Sequence, residues 1–107
     1  MSEQSQQLLN QAQLYQQQIQ NIMVQKESLS MQLLEINNAL DEIEKTKEKD
    51  LYKVSGPLLI KSAKEEIKKD LAEKKELIDL KLKTLEKSEA KIKTKIDELR
   101  ERLTRAG

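Results

Sequence analysis

Leu51-Tyr52-Lys53-Val54-Ser55-Gly56-Pro57-Leu58-Leu59-Ile60-Lys61 sets the architecture of this chain, because it holds the one place where glycine and proline stand together, between two runs with strand chemistry. Glycine supplies turn geometry and proline fixes its own φ, so the spacing predicts a β-hairpin with strands near 51–54 and 58–61. Pro57 has no N–H, which places it at a strand start or an edge. Alternation assigns Tyr52, Val54, Leu58 and Ile60 to one face, and Leu51 and Leu59 with Lys53 and Lys61 to the other. A two-stranded hairpin is marginal in water and cannot hide such a face alone. Its unpaired edges call for strands from other chains. A plain loop between helices is more often short and polar, so an oligomerising hairpin is expected, carried by Leu51, Tyr52, Val54, Gly56, Leu58, Leu59 and Ile60.

On either side the apolar residues repeat with the steps of a coiled coil. Leu8, Ala12, Tyr15, Ile19, Ile22, Lys26, Leu29, Leu33, Ile36, Leu40 and Ile43 advance by alternating fours and threes, with one lysine in the series. Read inward from the other end, Leu103, Leu99, Ile96, Ile92, Glu89, Leu85, Leu82 and Ile78 repeat those steps, and each faces an N-terminal position so that the two numbers add to 111. Leu71 faces Leu40 by the same rule. The fold-back point is therefore expected between Ser55 and Gly56, and the chain is read as mainly α, a long antiparallel two-helix coiled coil around a central β-hairpin. In this register Lys26 faces Leu85 and Glu89 faces Ile22, so the two seam charges occupy adjacent layers and can pair.

Residues 1–6 are expected to fray, a first helix to run to about residue 47, and a second from about Ser62 to Arg105, where Ala106 and Gly107 close the chain. The charged run Lys47-Glu48-Lys49-Asp50 breaks the first helix. Each arm would be about 65 Å long at a rise of 1.5 Å per residue. Ile60, Ala63, Ile67, Leu71, Lys74 and Ile78 break the strict alternation and mark a stutter.

Composition excludes most other classes. The chain has 107 residues, of which 36% are charged and only two are aromatic, both tyrosine. Two helices touching along one seam bury a narrow stripe, so stability must come from length or from association. With no cysteine there is neither a disulfide framework nor a thiol site. No apolar run approaches the roughly 20 residues that cross a bilayer, and the glutamine-rich N-terminus has no signal-peptide core, so no membrane contact and a cytoplasmic location are expected. Residues 1–47 carry three Lys against six Asp or Glu, whereas residues 61–107 carry fifteen Lys or Arg against eleven, so the arms attract. In the basic arm Glu65 and Lys69, Glu89 and Lys93, Glu98 and Arg102, and Glu101 and Arg105 stand at the i, i+4 spacing of a solvated face. Such alternation, without stacking aromatics, argues against nucleic-acid binding.

The string 51–61, with Tyr15-Gln16-Gln17-Gln18 upstream and Lys64-Glu65-Glu66 downstream, resembles the beta-class subunit of prefoldin, most closely the archaeal type. The resemblance covers nearly the whole chain and implies a single prefoldin-like domain over 1–107, with an N-terminal coiled-coil arm (1–47), the β-hairpin (51–61) and a C-terminal coiled-coil arm (62–105). It further implies a hexamer of two alpha-class and four beta-class subunits, whose hairpins form a barrel platform. The tips of the coils would hold unfolded client proteins and hand them to a group II chaperonin, without ATP.

Helix spacing alone reaches part of this. Residues 8–15 and 96–103 fall at the free end of the hairpin of helices, where seam residues lose covering neighbours. Leu8, Leu9, Leu99 and Leu103 are expected to be partly exposed there and, with Ala12 and Tyr15, to form a client-binding tip. The other reading is that these leucines merely finish the seam; the resemblance favours capture. Catalysis has little footing, since there is no His, no Cys and no glycine-rich phosphate loop, and adjacent acids such as Glu65-Glu66 and Asp97-Glu98 point to different helix faces. No enzyme activity, cofactor or metal is expected. The competing class is a structural coiled-coil tether, which has no need of an apolar hairpin.

Overall fold

The structure, a computed structural model, describes residues 2–106. Its elements are α1 (Glu3–Lys45), β1 (Asp50–Ser55), β2 (Leu58–Ala63) and α2 (Lys64–Ala106). Helix α1 starts earlier than expected because Ser2 caps it. The Ser5 N–H donates to Ser2 Oγ at 3.1 Å, the Ser2 hydroxyl donates to Ser5 Oγ at 2.9 Å, and the Gln6 N–H reaches the Ser2 carbonyl at 3.0 Å. Residues 3–6 are therefore helical rather than frayed, while Met1 and Gly107 lie outside the described residues. At the other end of α1 the Thr46 N–H is shared between the carbonyls of Glu42 and Ile43, both at 3.3 Å, and Thr46 Oγ1 accepts the Glu48 N–H at 3.4 Å. That local turn stops the helix at Lys45, two residues before the expected end. Helix α2 begins at Lys64 rather than Ser62, because Ser62 and Ala63 are taken up in β2.

The two strands pair antiparallel, from Asp50 facing Ala63 through Val54 facing Leu59 to Ser55 facing Leu58. The fold-back point thus falls between Gly56 and Pro57, one residue later than the helix periodicity implies. Its cause is an asymmetry of linkers: residues 46–49 separate α1 from β1, whereas α2 follows β2 directly. The Lys64 N–H donates to the Lys49 carbonyl at 2.8 Å and Lys64 Nζ to the Thr46 carbonyl at 3.0 Å, fixing that offset. Gly56 has φ +58° and is the first of the two turn residues, the pattern of a type II′ turn. A Cβ placed there would meet nothing within 4 Å, so only the backbone penalises a side chain. Gly56→Ala is therefore expected to destabilise the hairpin by about 1–2 kcal/mol, read as faster amide exchange across β1 and β2. Unchanged exchange would show that the turn conformation does not hold the hairpin.

The chain forms two compact units, Met1–Ser28 with Leu82–Gly107, and Leu29–Lys81, with α1 and α2 contributing to both. In the first unit the helices run antiparallel: Lys26 Nζ lies 3.6 Å from Glu89 Oε1, and Lys95 Nζ lies 5.8 Å from the Tyr15 ring centroid. Both contacts fit the layers read from the sequence. Leu8, Ile22, Ile96 and Leu99 form the buried seam of this unit, and each such side chain contributes roughly 1.5–3 kcal/mol relative to full exposure. In the second unit Ile36 and Ile78 are buried, with Leu33, Leu40, Ile43, Ile67 and Leu71 half-buried beside them. Lys75, not Lys74, continues this seam. A step of four from Leu71 carries Lys75 to the position facing Ile36, where its aliphatic stem is half-buried, while Lys74 is exposed.

Lys68 and Glu44 form an ion pair in the second unit. The hydrogen bond from Lys68, reinforced by its charge, holds the Glu44 carboxyl below its ordinary pKa, and the same bond raises Lys68. The lowered carboxyl contributes stability above its unfolded pKa that is lost as pH falls through the folded value. The raised ammonium contributes below its unfolded pKa and loses its contribution as pH rises through the folded one. Glu44→Gln is expected to lower the melting temperature slightly near neutrality and to have no effect in strong acid or in about 1 M salt, where the screening length is only about 3 Å. Thermal melts by circular dichroism check this, and an effect that persists in acid would contradict the assignment.

Candidate functional site: an uncovered hairpin and exposed helix residues

Facing residues of antiparallel strands point to the same side of the sheet. The observed register therefore puts Asp50, Tyr52, Val54, Leu59, Lys61 and Ala63 on one face, and Leu51, Lys53, Ser55, Leu58, Ile60 and Ser62 on the other. This corrects the grouping of Tyr52 and Val54 with Leu58 and Ile60. The consequence matters for assembly, since each face now carries three large apolar or aromatic residues instead of one face carrying most of them. Asp50 and Lys61 on the first face are 3.7 Å apart, which confirms their common side.

The uncovered surface is concentrated here. Val54 is 76% exposed, Leu59 71% and Tyr52 67%, and Leu58 and Ile60 are also exposed, whereas Leu51 is half-buried at the base. Lys53 and Val54 border an open cleft of about 480 Å³ with Ile67, Leu71 and Leu77 of α2. Among the described residues the sheet has only these two strands, so the outer edge of each is unpaired by any of them. An apolar two-stranded sheet with free edges can add strands and bury side chains against another chain.

In the first unit the expected client-binding residues are arranged differently from the expectation. Leu8 is 4% exposed and Leu99 5%, so neither is open at the end of the seam. The reason is that the seam does not stop at Leu8. Ser5, one turn earlier, is itself buried and hydrogen-bonded to Ser2. Leu9, Ala12, Tyr15 and Leu103 are half-buried. Leu14, Met23 and Val24 are instead the large apolar side chains exposed on this part of α1, each by more than half. They sit in a stretch, Gln4 to Gln25, that contains no charged residue. The signal for them lies in the spacing, because an apolar residue off the four-and-three steps of a seam has no partner helix to cover it.

A charged cluster interrupts the same seam. Glu89 Oε1 lies 3.6 Å from Lys26 Nζ and 3.5 Å from Lys93 Nζ, with the Glu89 side chain 16% exposed and that of Lys26 29%. Of the expected i, i+4 pairs in the basic arm, Glu89 with Lys93 and Glu101 with Arg105 come within 4 Å. Among the described residues no helix is long and apolar enough to cross a membrane.

The prefoldin subunit family matches residues 6–106 of this chain. The prefoldin subunit beta of Pyrococcus furiosus is 39% identical over 96% of this chain and 89% of its own length. That of Thermococcus onnurineus is 38% identical over 96% and 90%. Among solved structures, the prefoldin beta subunit of Thermococcus strain KS-1 superposes with a TM-score of 0.91 at 36% identity, covering 98% of this chain and 93% of that one. The beta2 subunit of the same strain, at 22% identity and a TM-score of 0.72, shares the fold. With its two heptad helices, its apolar hairpin and this degree of likeness, the chain belongs to the prefoldin family, as a beta subunit.

Proposed function

We propose that this chain is a subunit of an ATP-independent, non-enzymatic chaperone that captures unfolded proteins and delivers them to a group II chaperonin in the cytoplasm. The two compact units act as one prefoldin-like domain. The hairpin joins this chain to alpha-class and other beta-class subunits in a hexamer, with Tyr52, Val54, Leu58, Leu59 and Ile60 buried between chains. The observation that carries the reading is that Tyr52, Val54, Leu58, Leu59 and Ile60 of the two hairpin faces are exposed while the residues of the helix seam are buried or half-buried. Such a chain has its fold without the hairpin and its assembly through it. Capture falls to the first unit, where half-buried Leu9, Ala12, Tyr15 and Leu103 and exposed Leu14, Met23 and Val24 offer apolar surface. Each contact is weak, and several arms acting together multiply it through effective concentration.

The burial of Leu8 and Leu99 favours a second reading, a coiled-coil scaffold whose seam is closed to clients. Light scattering of a denatured client, diluted into buffer with the assembled chain and no nucleotide, separates the two. Suppressed aggregation at near-equimolar ratio is the chaperone's result. Undiminished aggregation at molar excess is the scaffold's.

A further inference from the structure

In the first unit each helix contributes one charged residue to an otherwise uncharged seam, Lys26 from α1 and Glu89 from α2, and the two meet at 3.6 Å with Lys93 as a second cation on the same carboxylate. A fully apolar heptad seam carries little information about its partner. An α1 helix would also pair with the α1 of a second copy, since the same leucines and isoleucines would interlock. A half-buried charge changes that. In the native pairing each seam charge has an opposite neighbour. In parallel pairing of two α1 helices Lys26 would face Lys26, and in that of two α2 helices Glu89 would face Glu89, each bringing like charges together in a partly covered seam.

We propose that Lys26 and Glu89 are the specificity determinants of the coil, committing α1 to pair with α2 and barring parallel α1–α1 and α2–α2 pairing between copies of this chain. Lys93, one turn along the same helix as Glu89, accompanies it in either pairing, so the choice rests on Lys26 with Glu89. The proposal concerns helix pairing during folding and stands apart from the chaperone reading.

The chain has no cysteine, so a single Ala12→Cys reports on pairing cleanly. Ala12 has the same heptad position as Lys26, and two copies bring it together only when α1 pairs in parallel with α1. The full chain carrying A12C is unfolded in denaturant, refolded at high concentration, oxidised, and run on a non-reducing gel, in three backgrounds: otherwise native, K26L/E89L and K26E/E89K. Disulfide-linked dimer is expected to rise about tenfold with the leucines, the equivalent of ~1.4 kcal/mol, and to stay at the native level in the charge swap. Equal dimer in the native and leucine backgrounds, or a swap that behaves like the leucines, would overturn the proposal. A second measurement applies if the leucine variant refolds poorly. Two A12C chains, one otherwise native and one carrying K26E with a mass tag, are refolded together, so that the introduced carboxylate of one α1 can meet Lys26 of another. Mixed dimer should exceed its statistical share. A statistical mixture would count against the proposal as decisively.

Discussion

Val54→Asp with Leu58→Asp is expected to release free subunits from the assembly while the helical signal is retained. The pair is chosen from the observed register. Val54 faces Leu59 and Leu58 faces Ser55, so each face of the sheet gains one carboxylate and the two do not oppose each other across the strands. Burying either wild-type side chain between chains contributes roughly 1.5–3 kcal/mol. A carboxylate forced into the same place costs more than that contribution, since it has no partner there. Two such changes in every copy amount to several powers of ten in an association constant, at about 1.4 kcal/mol for each. The helices keep their own seam, built from Leu8, Ile22, Ile36, Ile78, Ile96 and Leu99, none of which is in the hairpin. Size-exclusion chromatography with light scattering reads the mass, and circular dichroism reads the helices. An unchanged mass would take the hairpin out of the interface.

Leu14→Ser, Met23→Ser and Val24→Ser together are expected to leave fold and assembly intact and to reduce suppression of client aggregation severalfold. All three side chains are already more than half exposed, so their loss removes little that the fold depends on. Leu8→Ser and Leu99→Ser supply the contrast. Each removes a buried side chain and leaves a hydroxyl in the seam, with an expected cost of about 2–4 kcal/mol in stability. Their effect on clients should follow their effect on melting. If the exposed triple variant holds clients as well as the parent chain, capture does not use these α1 side chains.

Much of this arrangement is legible in the sequence, and the departures have physical causes. The seam is readable because alternating steps of four and three are the signature of a buried stripe, and Lys26 with Glu89 come together as their layers require. The hairpin is readable from Gly56-Pro57 and its flanks. Its register is not, because Leu58-Leu59-Ile60 is a continuous apolar run and alternation cannot choose a face for it. Helix periodicity places the fold-back between Ser55 and Gly56, but the linker at residues 46–49 shifts the strands by one residue, and a shift of one changes which side chains share a face. The positive φ of Gly56 decides it, since that conformation belongs inside a tight turn. The end of the first unit departs from expectation for a different reason. Ser5 reads as polar, yet bonded to Ser2 it is buried one turn before Leu8. Leu14, Met23 and Val24 escape a reading built on the seam because they lie off its steps, where each is left more than half exposed.

The most direct test of the chaperone reading is a single elution profile. This chain is assembled with an alpha-class subunit, mixed with a chemically denatured client in the absence of nucleotide, and passed over a sizing column with mass detection. Capture places client, alpha-class subunit and this chain in one peak whose mass exceeds that of the assembly alone. Client found only as aggregate, with the assembly eluting at its own mass, would refute it.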